Sequence, residues 1–366
     1  MEIRPFLGAD ADPSELKQRY ELYAEDRRSV FPGFPIQAYE QYVAAAAACP
    51  PSTVALSEGL PPVAPPLQWS AWQGERLIGS VGVSLVEEDG TLVAVPRIEV
   101  AADHRRRGVG TALLHRLVSA AQARGCTTLV ADAVRIGSAG ALWANRVGFR
   151  TTQIFSWQML HIPDIEPARW QLRTPAGYRL ERWTAATPEP LVAAFARARN
   201  AIADSPLGDT SLVHPTWTVE RLRRVEAEIA ADGDTWHCVV AMHERTGDVA
   251  AFTELLRDPV RPALSWQRDT AVVRAHRGLG LARTVKAAML RWLSAEVPGL
   301  DRVVTSTAAE NTAMRRVNEQ VGYLPYAEIG MLEAAPAEIE AKLSIPGARR
   351  SQQRRPLLQH LADFEA

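Results

Sequence analysis

Apolar positions recur at three- and four-residue spacing through "LKQRYELYAEDRRSVF", and again through "PIQAYEQYVAAAAAC", which predicts two helices near the start of the chain. The proline-rich "PPSTVALSEGLPPVAPP" fits neither period and reads as a loop. In "LQWSAWQGERLIGSVGVSLVEEDGTLVAVPRIEV" the pattern becomes strand-like, with turn signals at Gln73-Gly74 and Asp89-Gly90, so three strands are expected. A glycine turn follows, then an amphipathic helix from Val109 to Arg124 and the strand "TTLVADAV". The helix "AGALWANRV" stops at Gly148, a natural residue just past a helix end, and "FRTTQIFSWQML" reads as the strand that closes the unit.

The same order then runs again. Helical spacing marks "PEPLVAAFARARN" and "TVERLRRVEAEIA". Strands are expected in "TWHCVVAMHE", "DVAAFTELL" and "ALSWQRDTAVV", and the turn "HRGLGLA" leads into a helix through Trp292. The strand "RVVTST", the helix "NTAMRRVNEQV" and Gly322-Tyr323 complete the copy. Arg105 and Arg277 stand 172 residues apart, and Gly148 and Gly322 stand 174 apart, so two landmarks agree on one duplication. Residues 1–165 and 175–335 are the two expected domains, divided where prolines interrupt "PDIEPARWQLRTPAG". Residues 336–366 form a tail with a helical "PAEIEAKL", a basic "GARRSQQRRP" and a short amphipathic "LLQHLADF".

Composition narrows the possibilities. The 366 residues carry a formal net charge of −1, so no overall field draws the chain to nucleic acid or to an anionic membrane. No apolar run is long enough to span a bilayer, and "MEIRPFLGADADP" lacks the basic start and apolar core of a secretory signal. Cys49, Cys126 and Cys238 have no metal-like spacing, and the histidines form no ligand cluster. A cytoplasmic protein without a metal is expected, with no nucleic-acid or membrane partner. Nothing in the chain speaks to its oligomeric state.

The chemistry is concentrated in "ADHRRRGVGTALLHRL" and "RAHRGLGLARTVKAAML". In each, a strand ends in basic residues, turns on glycine and enters a helix. The first helical N–H groups have no partner within the helix and carry the positive end of its dipole. Glycine keeps the backbone open to a ligand, so such a turn receives phosphate or pyrophosphate. A dinucleotide loop is one reading, with Asp132 lying 22 residues beyond Gly110. Against it, Leu113 stands at the third glycine, and Thr305-Ser306-Thr307 occupies the acidic position of the second copy.

Arg105-x-x-Gly108-x-Gly110 and Arg277-x-x-Gly280-x-Ala282 both match [QR]-x-x-G-x-[GA]. With Gly148-Phe149 and Gly322-Tyr323, this resembles the acyl-CoA loop and closing helix of the GNAT superfamily of N-acetyltransferases, twice in one chain. The resemblance implies an α/β (α+β) fold of two tandem GNAT-like domains, each a mixed, mostly antiparallel sheet flanked by helices. It implies acetyl-CoA as cosubstrate. Arg105, Arg106, Arg107, Gly108, Val109, Gly110 and Thr111 would hold it in the first copy. In the second copy Arg277, Gly278, Leu279, Gly280, Leu281 and Ala282 would do so, with Arg283 and Lys286 adding charge. Val100 and Val272 would offer backbone contacts to pantetheine where two strands splay, and Asn311 matches an asparagine beside that arm.

Acetylating an amine requires removing its proton first, since a lysine-like amine has a pKa near 10.4. A carboxylate serves as base, directly or through water, and backbone N–H groups stabilise the developing oxyanion. By the resemblance, Glu99 is the candidate base of the first copy; in the second, Ala271 aligns with it, and the alternatives are Asp269, on the same strand face two residues earlier, and Glu254 on the preceding strand. The position of a family tyrosine acid holds Ala144 and Asn318, leaving Tyr323 or Tyr326 to fold back. The expected function is acetyl transfer to a small-molecule amine. The alternative is a non-catalytic acetyl-CoA sensor or scaffold with degenerate domains. Trp69, Trp72, Trp217, Trp236 and Trp266 are candidates to line a cleft between the copies.

Overall fold

Gly74, with a φ of 62°, turns the chain between two strands of the first copy, and similar local signals set most element ends. The computed structural model describes residues 1–6, 8, 11–48, 67–88, 91–258 and 261–344. The first half comprises β1 (Glu2–Pro5), α1 (Pro13–Val30), α2 (Tyr39–Ala48), β2 (Leu67–Gln73), β3 (Arg76–Glu88) and β4 (Thr91–Val100). It continues through α3 (Val109–Gln122), β5 (Thr128–Arg135), α4 (Ala139–Val147) and β6 (Arg150–His161). The second half opens with β7 (Tyr178–Thr184), α5 (Glu189–Arg199), α6 (Val219–Ala231), β8 (Thr235–His243), β9 (Val249–Arg257) and β10 (Leu264–Val272). Then come α7 (Leu281–Glu296), β11 (Arg302–Ala308), α8 (Thr312–Val321), β12 (Leu324–Ala334) and α9 (Pro336–Ser344).

Helix starts are capped by side chains that accept an otherwise orphaned N–H: Asp12 for α1, Ser138 for α4, Thr218 for α6 and Asn311 for α8. Gly148 and Gly322 close α4 and α8 with φ values of 120° and 115°. The amphipathic α3 buries Leu113, Leu114, Leu117 and Val118 against its half of the sheet, and α7 buries Val285, Met289, Leu290 and Leu293 against the other. The edge strands β1 and β7 carry too little alternating apolar character to stand out in the sequence.

The described strands form one twelve-stranded sheet in the order β1-β2-β3-β4-β5-β12-β6-β11-β10-β9-β8-β7. The pairs β4–β5 and β10–β11 are parallel and every other neighbour is antiparallel, a mixed, mostly antiparallel sheet of the α/β class. The copies do not close separately, contrary to the expectation for residues 149–160. The last strand of the second half, β12, lies between β5 and β6, while β6 lies between β12 and β11. Each half thus receives the sixth strand of the other.

The segments after these strands follow the exchange. Beyond β6, Trp170 enters the second-half core and donates its indole N–H to the Val321 carbonyl at 2.8 Å. Arg169 donates to the carbonyls of Glu319 and Gln320 at the end of α8. Beyond β12, α9 lies on α3 and α4 and buries Ile339 in the first-half core. The expected loop over residues 50–66, the basic stretch "GARRSQQRRP" and "LLQHLADF" lie outside the described residues, apart from α9, which takes in the preceding "PAEIEAKL". Among the described residues, no helix is long and apolar enough to cross a membrane, and no group of His, Cys, Asp or Glu could hold a metal ion. Cys126 and Cys238 are buried free thiols.

Candidate active site

Both glycine turns adopt one conformation. Gly108 and Gly280 cap α3 and α7 in the left-handed region, with φ values of 85° and 78°. A Cβ at either would point into open space, so glycine is needed for its backbone angle and for ligand approach rather than for packing. Among the described residues, no backbone carbonyl accepts from the N–H groups of Gly108–Thr111 or of Gly280–Arg283. Arg106 (φ 63°) matches Gly278 (φ 81°), so the first loop holds an arginine in a conformation that favours glycine. At Gly110 a Cβ would lie 3.5 Å from Trp143, an ordinary contact that explains how Ala282 fills the equivalent place.

Arg105 and Arg277 act alike, and neither is free for phosphate. Arg105 Nε donates to the Val100 carbonyl at 3.0 Å, and its guanidinium pairs with Asp26 at 3.2 Å. Arg277 Nε donates to the Val272 carbonyl at 3.0 Å, and its guanidinium pairs with Asp204 at 2.5 Å. Each arginine fastens its loop to the end of the preceding strand and to an acidic residue of the helical region.

Next to each loop the sheet opens. β4 and β5 pair only at Val93–Thr128 and Ala94–Leu129. β10 and β11 pair from Leu264–Arg302 to Gln267–Thr305 and then part. Ala101 donates its N–H to Ile78 and Val273 donates to Ala250, so the peptide groups of Val100 and Val272 face away from β3 and β9, into the gaps. A continuous cleft of ≈ 3190 Å³ joins both gaps and both loops. Arg105, Arg106, Gly108–Thr111, Val100 and Glu99 line it from the first half. Asp269, Val272, Arg277, Gly278, Gly280–Ala282 and Asn311 line it from the second. Arg107 and Leu279 are exposed and do not line it. Of the five tryptophans expected there only Trp266 does, joined by Trp143 and Trp157.

Glu99 lies in this cleft opposite Ser80 on β3. Its two carboxylate oxygens accept from different donors, Arg97 Nε at 3.0 Å and the Ser80 hydroxyl at 2.9 Å, which fixes the plane of the group. Asp26, on α1, has its pKa raised by burial and by the Glu99 charge, and Tyr42 is raised by the same two causes.

The second half differs. Glu254 is fully buried, does not line the cleft and bonds Arg199, whose other nitrogen reaches Asp269 at 3.1 Å. Arg199 is itself buried, with its guanidinium carbon 3.4 Å from the Trp217 ring centre. One cation therefore holds both carboxylates. Asn311 uses its side-chain oxygen to accept the Met314 N–H as a helix cap. Tyr323 is a core residue whose hydroxyl meets Gln267 at 3.4 Å, and burial pushes its pKa up. Tyr326 donates to the Pro32 carbonyl. Lys286 is not a surface charge near the loop: it is 1% exposed, beside the Tyr323 ring, and burial pulls its pKa down to about 7.

Two models of one family match this chain, an acetyltransferase (GNAT) family model over residues 19–149 and an acetyltransferase (GNAT) domain over residues 179–324. The chain belongs to the GNAT family, with two GNAT domains in tandem. No curated protein sequence matches it. A tandem GNAT protein from the clavulanic acid biosynthesis pathway superposes with a TM-score of 0.71 at 24% identity, over 92% of this chain and 98% of that one. A GCN5-related N-acetyltransferase from Sphaerobacter thermophilus gives 0.63 at 15% identity, over 92% and 95%. These likenesses bear on the fold.

GNAT domains use acetyl-CoA generally, and both loops fit a pyrophosphate: left-handed glycine caps, open space before them and unclaimed N–H groups at a helix start. Sequence reasoning missed Arg27, Arg97 and Arg199. Arg199 in particular carries no local signal, because its partners lie 55 and 70 residues away.

Proposed function

We propose that the protein acetylates the primary amine of a small molecule, that acetyl-CoA is the donor, and that the first half performs the transfer. The observation that carries this reading is the position of Glu99. It lies on the strand that parts from its neighbour, inside the cleft, with its carboxylate plane fixed from two sides. Acetyl-CoA, when bound, supplies an acetyl group activated as a thioester.

The N–H groups of Val109, Gly110 and Thr111 receive pyrophosphate charge at the start of α3, and Arg106 adds a cation beside them. Backbone groups of Val100 and Ile98, turned into the gap, hold the pantetheine arm and donate to the negative charge that develops on the acyl oxygen. Glu99 takes the proton of the incoming ammonium, through a water where direct contact is out of reach. The position of a tyrosine acid is Ala144, so the proton for the departing thiolate comes from solvent.

The second half binds acetyl-CoA without turning it over. It keeps the loop, the gap and the arginine fastening, but Glu254 is buried away from the cleft and Asp269 is tied with it to the one buried Arg199. Calorimetric titration with acetyl-CoA tests the assignment. The wild type is expected to take two equivalents per chain, and Gly108→Glu and Gly280→Glu one each. Unchanged stoichiometry in both variants sinks the loop assignment. Glu99→Gln is expected to cut thiol release by about 100-fold or more with binding intact, while Asp269→Asn leaves the rate within a small factor. A Glu99→Gln enzyme as fast as wild type removes the proposed base.

A further inference from the structure

Arg27, on α1, lines the cleft and takes no side-chain hydrogen bond or ion pair among the described residues. Three neighbouring arginines are engaged. Arg97 bonds Glu99, Arg105 bonds Asp26 and the Val100 carbonyl, and Arg19 bonds Ser70, Gln68 and the Trp69 carbonyl. Of these four arginines, Arg27 is the one whose N–H donors meet no partner among the described residues, and it shares the cleft with the candidate base.

The Arg27 side chain is held in place. The Arg27 guanidinium lies 5.9 Å from the Tyr23 ring centre and 5.3 Å from that of Phe31, and Arg97 lies 5.3 Å from the same Tyr23 ring. Aromatic faces orient a planar cation without consuming its N–H donors. Two guanidiniums about one ring repel each other unless an anion joins them. Burial and then Arg97 pull the Arg27 pKa down to about 10, while Glu99 and Asp26 act the other way. In the second half the position equivalent to Arg27 holds Arg199, which is buried behind the cleft and whose nitrogens already meet two carboxylates. The first half has the arginine without the acids.

We propose that the acceptor is an amine that also bears a carboxylate, an amino-acid-type molecule whose carboxylate bonds the open fork of Arg27 while its amine meets Glu99. The planar guanidinium matches a carboxylate through two parallel N–H···O bonds. This inference rests on the proposed transferase activity of the first half.

The test uses the full-length protein and a thiol-release assay with three sets of amines: the L-amino acids, their methyl esters and amides, and phosphoethanolamine. Turnover is expected with at least one free amino acid, at a KM at least tenfold below that of its methyl ester. Arg27→Gln is expected to raise that KM at least tenfold with kcat little changed and to leave the ester unaffected, and Arg27→Lys to fall between. Faster turnover of esters, amides or phosphoethanolamine overturns the carboxylate assignment and leaves the transferase reading standing. Where no amine turns over, the transferase reading fails, and calorimetry with N-acetylglycine and the other N-acetyl amino acids in the presence of CoA decides the rest. Binding that Arg27→Gln abolishes upholds the carboxylate site, and absence of binding overturns it.

Discussion

Lys286 occupies a position that the first half fills with Leu114, and its neighbours repeat the contrast. Asn318, Tyr323 and Gln158 stand where the first-half core has Ala144, Phe149 and Leu332. A lysine removed from water favours its neutral form, which is why its pKa falls from 10.5 to about 7. The sign of the resulting pH effect follows from proton counts. Below pH 7 the amine is charged in both folded and unfolded chains, and the full burial cost is present. Between about pH 7 and 10.5 the unfolded chain holds a proton that the folded chain has lost, so stability rises with pH. The slope is about 1.4 kcal/mol per pH unit. Lys286→Met is therefore expected to be more stable than wild type at pH 7 by roughly 2–4 kcal/mol, with the difference shrinking towards pH 10. Urea melts of both proteins across that range measure it, and a difference that does not change with pH refutes the buried-amine account.

At the level of the element, a strand–turn–helix unit appears twice with the same fastening, an arginine that bridges the strand-end carbonyl to an acid on a helical segment. The fastening holds the loop in its left-handed turns before any ligand arrives. Asp204→Ala is expected to weaken acetyl-CoA binding at the second site by about three- to tenfold, leaving the first site untouched, because loop order must then come from binding energy. The melting temperature should move little, since the Arg277–Asp204 pair is half exposed. Two-site calorimetry reads both values, and an equal loss at both sites contradicts the local role. This unit was legible in the sequence because everything that makes it is contiguous: basic residues, glycines and an apolar helix within about 20 positions. Glu99, six residues before Arg105, stands out only through the family resemblance, and the structure adds its place in the cleft. Arg27 and Arg199 were not legible. Their meaning depends on which charges the fold brings opposite them, and a helical arginine reads as a solvated one until its partners are known. The spacing of Lys286 from Gly280 predicts loop charge, because it does not reveal that the side chain is buried beside Tyr323.

For the whole molecule, the decisive feature is the exchange of β6 and β12. Alternating apolar residues in "FRTTQIFSWQML" predict a strand equally well whether it pairs with its own half or the other, so the pattern could not show the exchange. The exchange has a thermodynamic consequence. A first half cut after residue 165 has no β12 to lie between β5 and β6, and it loses Ile339 of α9 from its core. A second half alone loses β6, and a cut at 165 divides it further from its registered pairing along Arg302–Ala308. Each fragment then exposes strand edges that the intact chain covers on both sides, and open edges recruit other strands. The full chain is accordingly expected to unfold in urea as one cooperative unit, with coincident far-ultraviolet circular dichroism and tryptophan fluorescence. The halves are related by a near two-fold repeat, so the isolated first half has a ready partner in a second copy of itself. It is expected to run as a dimer in which two β6 strands fill the places of β6 and β12. Co-expression of the two halves should instead yield a one-to-one complex. Size-exclusion chromatography with light scattering distinguishes these species. A first half that is folded and monomeric, together with two separate transitions in the intact chain, would show that each half is stable without the strand it receives.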